Sequence, residues 1–150
     1  MNRFRLIKQL IFHEGQELFP YDDATGKPPV LKGKLTIGIG RNLTDRGLSE
    51  DETMYLLNND ITIIEMALSA SHPWWINLGE ARQHVMLDMC FNMGITRFNR
   101  FKRTIEFIKL GEYEAAADEM LNSKWAKQVG KRAVRLSTMM RTDTFPKEFL

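Results

Sequence analysis

The stretch from His13 to Leu43, HEGQELFPYDDATGKPPVLKGKLTIGIGRNL, cannot be absorbed into a helical core. Pro20, Pro28 and Pro29 remove backbone donors, DDATGK is a cluster of turn formers, and TIGIG spaces glycines through a strand-like run. Leu18 to Tyr21 therefore reads as an extended strand entering a turn. Leu35, Ile37 and Ile39 alternate with smaller residues, as a second strand does, and RNLTDRG closes a small antiparallel sheet.

Helical periods flank this segment on both sides. Phe4, Ile7, Leu10 and Ile11 mark a first helix from about Asn2 to Phe12 that is expected to bury this stripe. After the sheet, Ser49 with Glu52 makes a capping box, which opens a helix running to about Ser69 with Met54, Leu57, Ile61, Ile64 and Leu68 on one face. At roughly 30 Å such a helix is long enough to join two lobes, and Pro73 ends it. Asn77 with Glu80 suggests the next cap, before an apolar helix carrying Ala81, Val85, Leu87, Met89, Cys90 and Met93. Phe98 to Leu110, Glu112 to Leu121 and Gly130 to Met140 read as three more helices. The expected fold class is α+β within one domain over 1–150: a β lobe at about 15–48, a linking helix at about 49–70, and a helical lobe from about 1–12 plus 77–150.

Composition narrows the class without naming a function. At 150 residues, 43% hydrophobic and 27% charged, the chain has the make-up of an ordinary globular protein, with no repeat or low-complexity tract. A single cysteine, Cys90, excludes an intramolecular disulfide and a cysteine-rich metal site, and the surroundings read as a small core hydrophobe. Lys8 and Gln9 interrupt the apolar start, which reads as an amphipathic helix rather than a signal peptide. Net charge is +2, but residues 97–150 hold 12 Lys/Arg against 7 Asp/Glu, and residues 1–96 hold 9 against 12. A positive field over the last third would draw an anionic polymer, though a merely solvated helical surface predicts the same pattern.

Three polar groups fall inside the non-helical stretch. Glycoside hydrolysis needs a proton for the leaving oxygen and an anion or nucleophile facing the oxocarbenium-like centre. Two carboxyls in unlike environments supply them, one partly shielded and one near water. Glu14, at a helix end with Phe12 nearby, suits the first role. Asp22 and Asp23, in a polar turn, both suit the second, and Thr36 could hold a water. Spacing alone makes this a weak signal, because a Glu at a helix end before an Asp-rich turn is common.

The order of several specific pieces is stronger. An amphipathic helix ending in Glu14-Gly15, then Tyr21-Asp22-Asp23, TIGIG at 36–40, NMG at 92–94 and SKWAKQVGKRAVRLSTMMRT at 123–142 together resemble the phage-type lysozymes, or endolysins, of glycoside hydrolase family 24. The resemblance covers nearly the full chain. It implies hydrolysis of the β-1,4 bond between N-acetylmuramic acid and N-acetylglucosamine in peptidoglycan, with inversion and without a cofactor or metal. Residue by residue it makes Glu14 the general acid, Asp23 the second carboxylate, Thr36 the residue that positions water, and Arg132 the cation paired with the acid. Gln128 and Phe98 fall at supporting positions, Gln128 beside the cleft and Phe98 by its floor, where core packing is the stronger reading for Phe98.

Two departures stand out. The segment between Asp23 and Thr36 is longer than the family pattern, which predicts a longer hairpin or loop at GKPPVLKGK, and Arg41 stands where His is frequent and is assigned a structural role. His13 reads as an incidental surface residue, His72 and His84 lack metal-ligand spacing, and Trp125 reads as core. The resemblance further implies a monomer that accumulates in the producing cell's cytoplasm and reaches the wall through a separate holin-type membrane-permeabilising partner. Two rivals remain: a lytic transglycosylase on the same bond, which needs only the Glu, and an inactive lysozyme-fold module binding nucleic acid or membrane, for which no helix-turn-helix or stacking pattern is present.

Overall fold

The computed structural model describes residues 2–26 and 32–150. Among them the order is α1 (Arg3–Glu14), β1 (Glu17–Asp22), β2 (Leu35–Gly38), β3 (Arg41–Asn42), α2 (Leu43–Arg46), α3 (Glu50–Ser71), α4 (Glu80–Met93), α5 (Ile95–Phe98), α6 (Lys102–Leu110), α7 (Tyr113–Leu121), α8 (Lys124–Val129) and α9 (Lys131–Thr142). Short 3-10 turns lie at Pro73–Asn77 and Lys147–Phe149. The class is α+β, as expected. Contacts group the chain into two compact units, Met1–Tyr55 and Leu56–Leu150, so the first contains α1 and the whole sheet. No helix among the described residues is long and apolar enough to cross a membrane.

In the first unit, local chemistry sets the element ends. The Asn2 side chain accepts from the Arg5 amide at 3.1 Å and opens α1, and Gly15, at φ +73°, closes it. The expected burial of the α1 stripe does not occur: Phe4, Ile7 and Leu10 are exposed, and no α1 residue is buried. The unit's sheet supplies no apolar layer to receive it, since Leu18 and Phe19 on β1 are themselves exposed.

The sheet is antiparallel in the order β1-β2-β3. Tyr21 pairs with Thr36 and Asp22 with Leu35, while Ile37 pairs with Arg41 and closes the three-residue link Gly38-Ile39-Gly40. Gly38 and Gly40 have φ of +68° and +66°, the region that glycine enters without a Cβ penalty.

The capping box at the start of α3 is present. Ser49 Oγ accepts from the Glu52 amide at 3.2 Å, and Glu52 Oε2 accepts from the Ser49 amide at 2.8 Å. Arg41 forks onto both oxygens of Glu52 and reaches the Gly47 carbonyl at 3.2 Å, which ties β3 to the head of α3. That is the structural role assigned to Arg41. Hydrogen bonds from Arg41 and Ser49 outweigh burial and bring the Glu52 carboxyl down to about 2.

The second unit holds the apolar core. Every buried apolar side chain among the described residues lies between Leu68 and Met140, and α4 contributes Ala81, Val85, Met86, Met89 and Cys90 to it. Burial lifts the Cys90 thiol to about 12, which fits a small packed hydrophobe. Trp125 is buried, with its ring N–H donating to Asn92 Oδ1 at 2.8 Å.

The predicted Asn77–Glu80 cap is replaced by a long-range one. The residue before α4 is Gly79, without a side chain to cap, and Asp143 at the end of α9 accepts from the Arg82 amide at 3.2 Å. Arg82 in turn donates to the last carbonyls of α9, Met140 at 2.9 Å and Arg141 at 3.0 Å, and its guanidinium lies 3.5 Å from the Tyr113 ring centroid. One helix start and one helix end thus satisfy each other. The predicted helix Phe98–Leu110 is also divided, with α5 ending at Phe98 and α6 beginning at Lys102.

Candidate active site

The two neighbouring aspartates at the end of β1 take different places. Asp22 is fully buried and accepts from four backbone amides among the described residues: Ala24 at 2.7 Å, Thr25 at 3.1 Å, Lys32 at 2.5 Å and Gly33 at 3.2 Å. Burial acts to raise its pKa, but the amides of Ala24, Gly33, Lys32 and Thr25 together outweigh burial and hold the carboxyl below its ordinary value. Asp22 is thereby committed to structure. It grips both ends of the long segment between the strands, whose residues 27–31, where most of the expected extra loop falls, lie outside the described residues.

Asp23 is exposed. Its amide donates to the Lys34 carbonyl at 3.0 Å, and its Oδ1 accepts from the Lys34 amide at 2.6 Å. The Lys34 ammonium pairs instead with Asp45 at 3.0 Å, so Asp23 has no cation partner among the described residues. Thr36 is buried on the central strand, opposite Tyr21 and Asn42, and its hydroxyl donates to the Lys34 carbonyl at 3.1 Å. Because Tyr21 pairs with Thr36, and Asp23 continues the ladder opposite Lys34, strand alternation carries Asp23 and Thr36 to one face as diagonal neighbours. A donated hydroxyl still has lone pairs to accept a hydrogen from water.

Glu14 ends α1 in an exposed position, and the shielding expected from Phe12 is absent: Phe12 is 85% exposed and its ring packs on His13 with centroids 5.5 Å apart. Glu14 lies against the sheet. A Cβ added at Gly40 would lie 2.8 Å from Glu14 Oε2, 3.1 Å from Cδ and 3.3 Å from Cγ, so the carboxyl rests over the bare backbone of the β2–β3 link. Glu14, Asp23 and Thr36 therefore belong to one unit built on one small sheet.

Sequence comparison bears on the same elements. The chain matches the family described as Phage lysozyme over residues 12–141, a span that takes in all three of these positions. The chain belongs to the phage lysozyme family. Probable T4-type lysozyme 2 of Dictyostelium discoideum is 25% identical over 164 residues, covering 90% of this chain and 92% of that protein. Probable T4-type lysozyme 1 of the same organism is 25% identical over 168 residues, covering 92% and 95%. The family is one of lysozyme-like peptidoglycan hydrolases.

The remaining predicted positions lie in the second unit. Arg132, at the start of α9, donates its Nε to Asp88 Oδ1 at 2.7 Å and is half-buried. Gln128 is exposed and accepts from Arg97 at 2.9 Å. Phe98 is 0% exposed, with its ring edge against His72 at 6.0 Å between centroids, so its part is packing beneath the surface rather than contact with a sugar.

Two residues that sequence reasoning passed over are glycines. Gly40 provides the room Glu14 occupies. Gly33 does the same for Asp23, since a Cβ there would lie 2.0 Å from Asp23 Oδ1 and 2.9 Å from the Ala24 amide nitrogen. Each carboxylate lies over a position where only a hydrogen fits. The signal was present in KGK and TIGIG, but a glycine in a turn reads first as backbone freedom, and only the fold distinguishes the two uses.

Proposed function

We propose that this member of the phage lysozyme family is a muramidase, hydrolysing the β-1,4 bond between N-acetylmuramic acid and N-acetylglucosamine. Glu14 donates a proton to the glycosidic oxygen. Asp23, open to solvent, stabilises the positive charge that develops on the sugar, and with Thr36 it orients the water that attacks the other face of the ring. Arg132 and Gln128 are supporting residues and Phe98 is a packing support. The observation that supports the reading is that Glu14 lies against Gly40 in the β2–β3 link of the same small sheet on which Thr36 and Asp23 are diagonal neighbours.

The division of labour between the aspartates supports it. Asp22 has its oxygens occupied by amides, whereas Asp23 keeps one oxygen clear of protein donors among the described residues. A lytic transglycosylase would require no second carboxylate and no water-orienting hydroxyl. Release to the wall through a separate holin-type partner, action as a monomer, storage in the producing cell's cytoplasm and lysis of the target cell are parts of the same proposal.

The test is digestion of purified peptidoglycan with mass spectrometry of the products. Glu14→Gln should lower the rate by about 10²–10⁴-fold with the circular dichroism spectrum unchanged. Wild-type products should carry reducing muramic ends with one added water. An undiminished rate in the variant would overturn the role of Glu14, and 1,6-anhydromuramic ends would replace hydrolysis with transglycosylation.

A further inference from the structure

The second unit contains a charge arrangement that the proposed hydrolysis does not use. Arg97, Arg100, Lys102, Arg103 and Lys124 surround an open cavity of about 410 Å³ between the α5–α6 turn and the start of α8. Glu119 is the one carboxylate in its lining, and it pairs with Arg103 at 3.0 Å. Arg97 is met by the neutral amide oxygen of Gln128, and Arg100, Lys102 and Lys124 have no carboxylate partner among the described residues. Four positive charges without counter-charges thus converge on one hollow, and their mutual repulsion is relieved when an anion enters.

Two further observations point to what that anion is. Thr104 is only 3% exposed, yet it lines the cavity. The residue before α6, Phe101, supplies no side-chain cap, so the amides of Lys102, Arg103 and Thr104 keep their donors free at the positive end of that nine-residue helix. Donors of three kinds, hydroxyl, amide and guanidinium or ammonium, suit a group with several acceptor oxygens and fixed charge, which is a phosphoryl group.

We propose that this cavity binds the backbone phosphodiesters of a polyol-phosphate polymer attached to the bacterial wall. The open rim and the spread of cations suit successive phosphates on a chain. Nucleic acid is the less favoured occupant, because Trp125 is 1% exposed with its ring N–H held by Asn92, and Phe101 is half-buried, leaving no platform for stacked bases. The identity of the polymer rests on the wall-hydrolase reading, whereas the phosphodiester chemistry rests on the cavity alone. Such a site would hold the protein on the wall between cleavage events.

The experiment is calorimetric titration of the full chain with poly(glycerol phosphate), alongside backbone amide NMR shifts. Wild type should bind with a strong salt dependence and shift the amides of Lys102, Arg103 and Thr104. The triple variant R100Q/K102Q/K124Q should weaken binding about tenfold or more, while K127Q/K131Q/R135Q, which removes equal charge outside the cavity, should not. Thr104→Val should weaken binding with net charge unchanged. Equal weakening by both triples, or no binding by wild type, would overturn the proposal. Tighter binding of a duplex DNA of matched charge would assign the cavity to nucleic acid instead. Digestion of peptidoglycan stripped of phosphate polymer, run in parallel, should be unaffected by R100Q/K102Q/K124Q. Absence of digestion by wild type would count against the hydrolase reading and leave the binding result standing.

Discussion

Gly40→Ala is the sharpest probe of what places Glu14, because Gly38 supplies a matched control two residues away. Both glycines sit at nearly the same backbone angle, φ +66° at Gly40 and +68° at Gly38. Alanine in that region costs about 1–2 kcal/mol at either site. For a chain of this length that corresponds to a fall in Tm of roughly 2–8 °C in each variant. The sites differ in what the methyl meets: nothing within 4 Å at Gly38, and Glu14 Oε2 at 2.8 Å with Cδ and Cγ at 3.1 and 3.3 Å at Gly40. The methyl reaches the flexible end of a side chain, so the clash is relieved by moving the carboxyl by about half an ångström or more, with little added loss of stability. A proton donor displaced by about 1 Å costs on the order of 10²-fold in rate. The two variants should therefore melt together and differ in initial rate of muropeptide release by roughly ten- to a hundredfold, Gly40→Ala being the slower. Equal rates would refute the reasoning, because Glu14 would then either be held by something other than Gly40 or not be the donor.

Other outcomes follow from the same contacts. Asp22, Asp45 and Glu52, the carboxyls held below their ordinary values, all lie in the first unit. A depressed carboxyl stabilises the fold above its unfolded-state value and loses that contribution as pH falls, for Glu52 between 4.5 and about 2; hydrogen exchange should show amides such as those of Ala24 and Lys34 losing protection across this window before those of α4 and α9, and a simultaneous loss would sink the idea. Gly33→Ala puts a methyl 2.0 Å from Asp23 Oδ1 and 2.9 Å from a backbone nitrogen, so denaturant unfolding should show a loss of about 1–3 kcal/mol, accompanied by a rate close to that of Asp23→Ala. Phe98→Ala should cost about 3–5 kcal/mol with KM unchanged wherever the protein stays folded; a raised KM at unchanged stability would make Phe98 a glycan contact after all.

How far the sequence disclosed this arrangement depended on the range of the interaction involved. Ser49 and Glu52 are three residues apart, and their capping box was readable because both partners fall in one helical turn. The Asn77–Glu80 pattern looked like the same signal and failed, because α4 is capped by Asp143, some sixty residues away, and no local spacing carries that information. Periodicity located α1 and its apolar stripe, yet periodicity states only that a face could be buried; whether the unit offers a matching layer is a property of the sheet. At the site, a turn with two aspartates left both open on chemistry alone. Their separation came from register: Asp22 points where the amides of Lys32 and Gly33 return, and Asp23 falls one residue beyond, on the other side of the pleat.

That register also explains why added length between Asp23 and Thr36 need not disturb the site. Asp22 accepts from Ala24 and Thr25 as the chain leaves the sheet and from Lys32 and Gly33 as it returns, so the two described ends of the segment meet at one buried anion. Beyond that clamp, lengthening a loop costs little, about 0.6 kcal/mol for a doubling. The ladder from Asp23–Lys34 to Tyr21–Thr36 is set on the sheet side of the clamp and does not depend on how many residues lie on the other. Loop length and sheet register are in this way uncoupled, and the residue that uncouples them is the aspartate to which the proposed chemistry gives no part. Asp22→Asn, which turns one acceptor oxygen into a donor facing amide donors, should therefore lower stability and activity together, whereas Asp23→Asn should lower activity and leave the melting temperature nearly unchanged. A stable but inactive Asp22→Asn variant would exchange the two roles and refute the assignment.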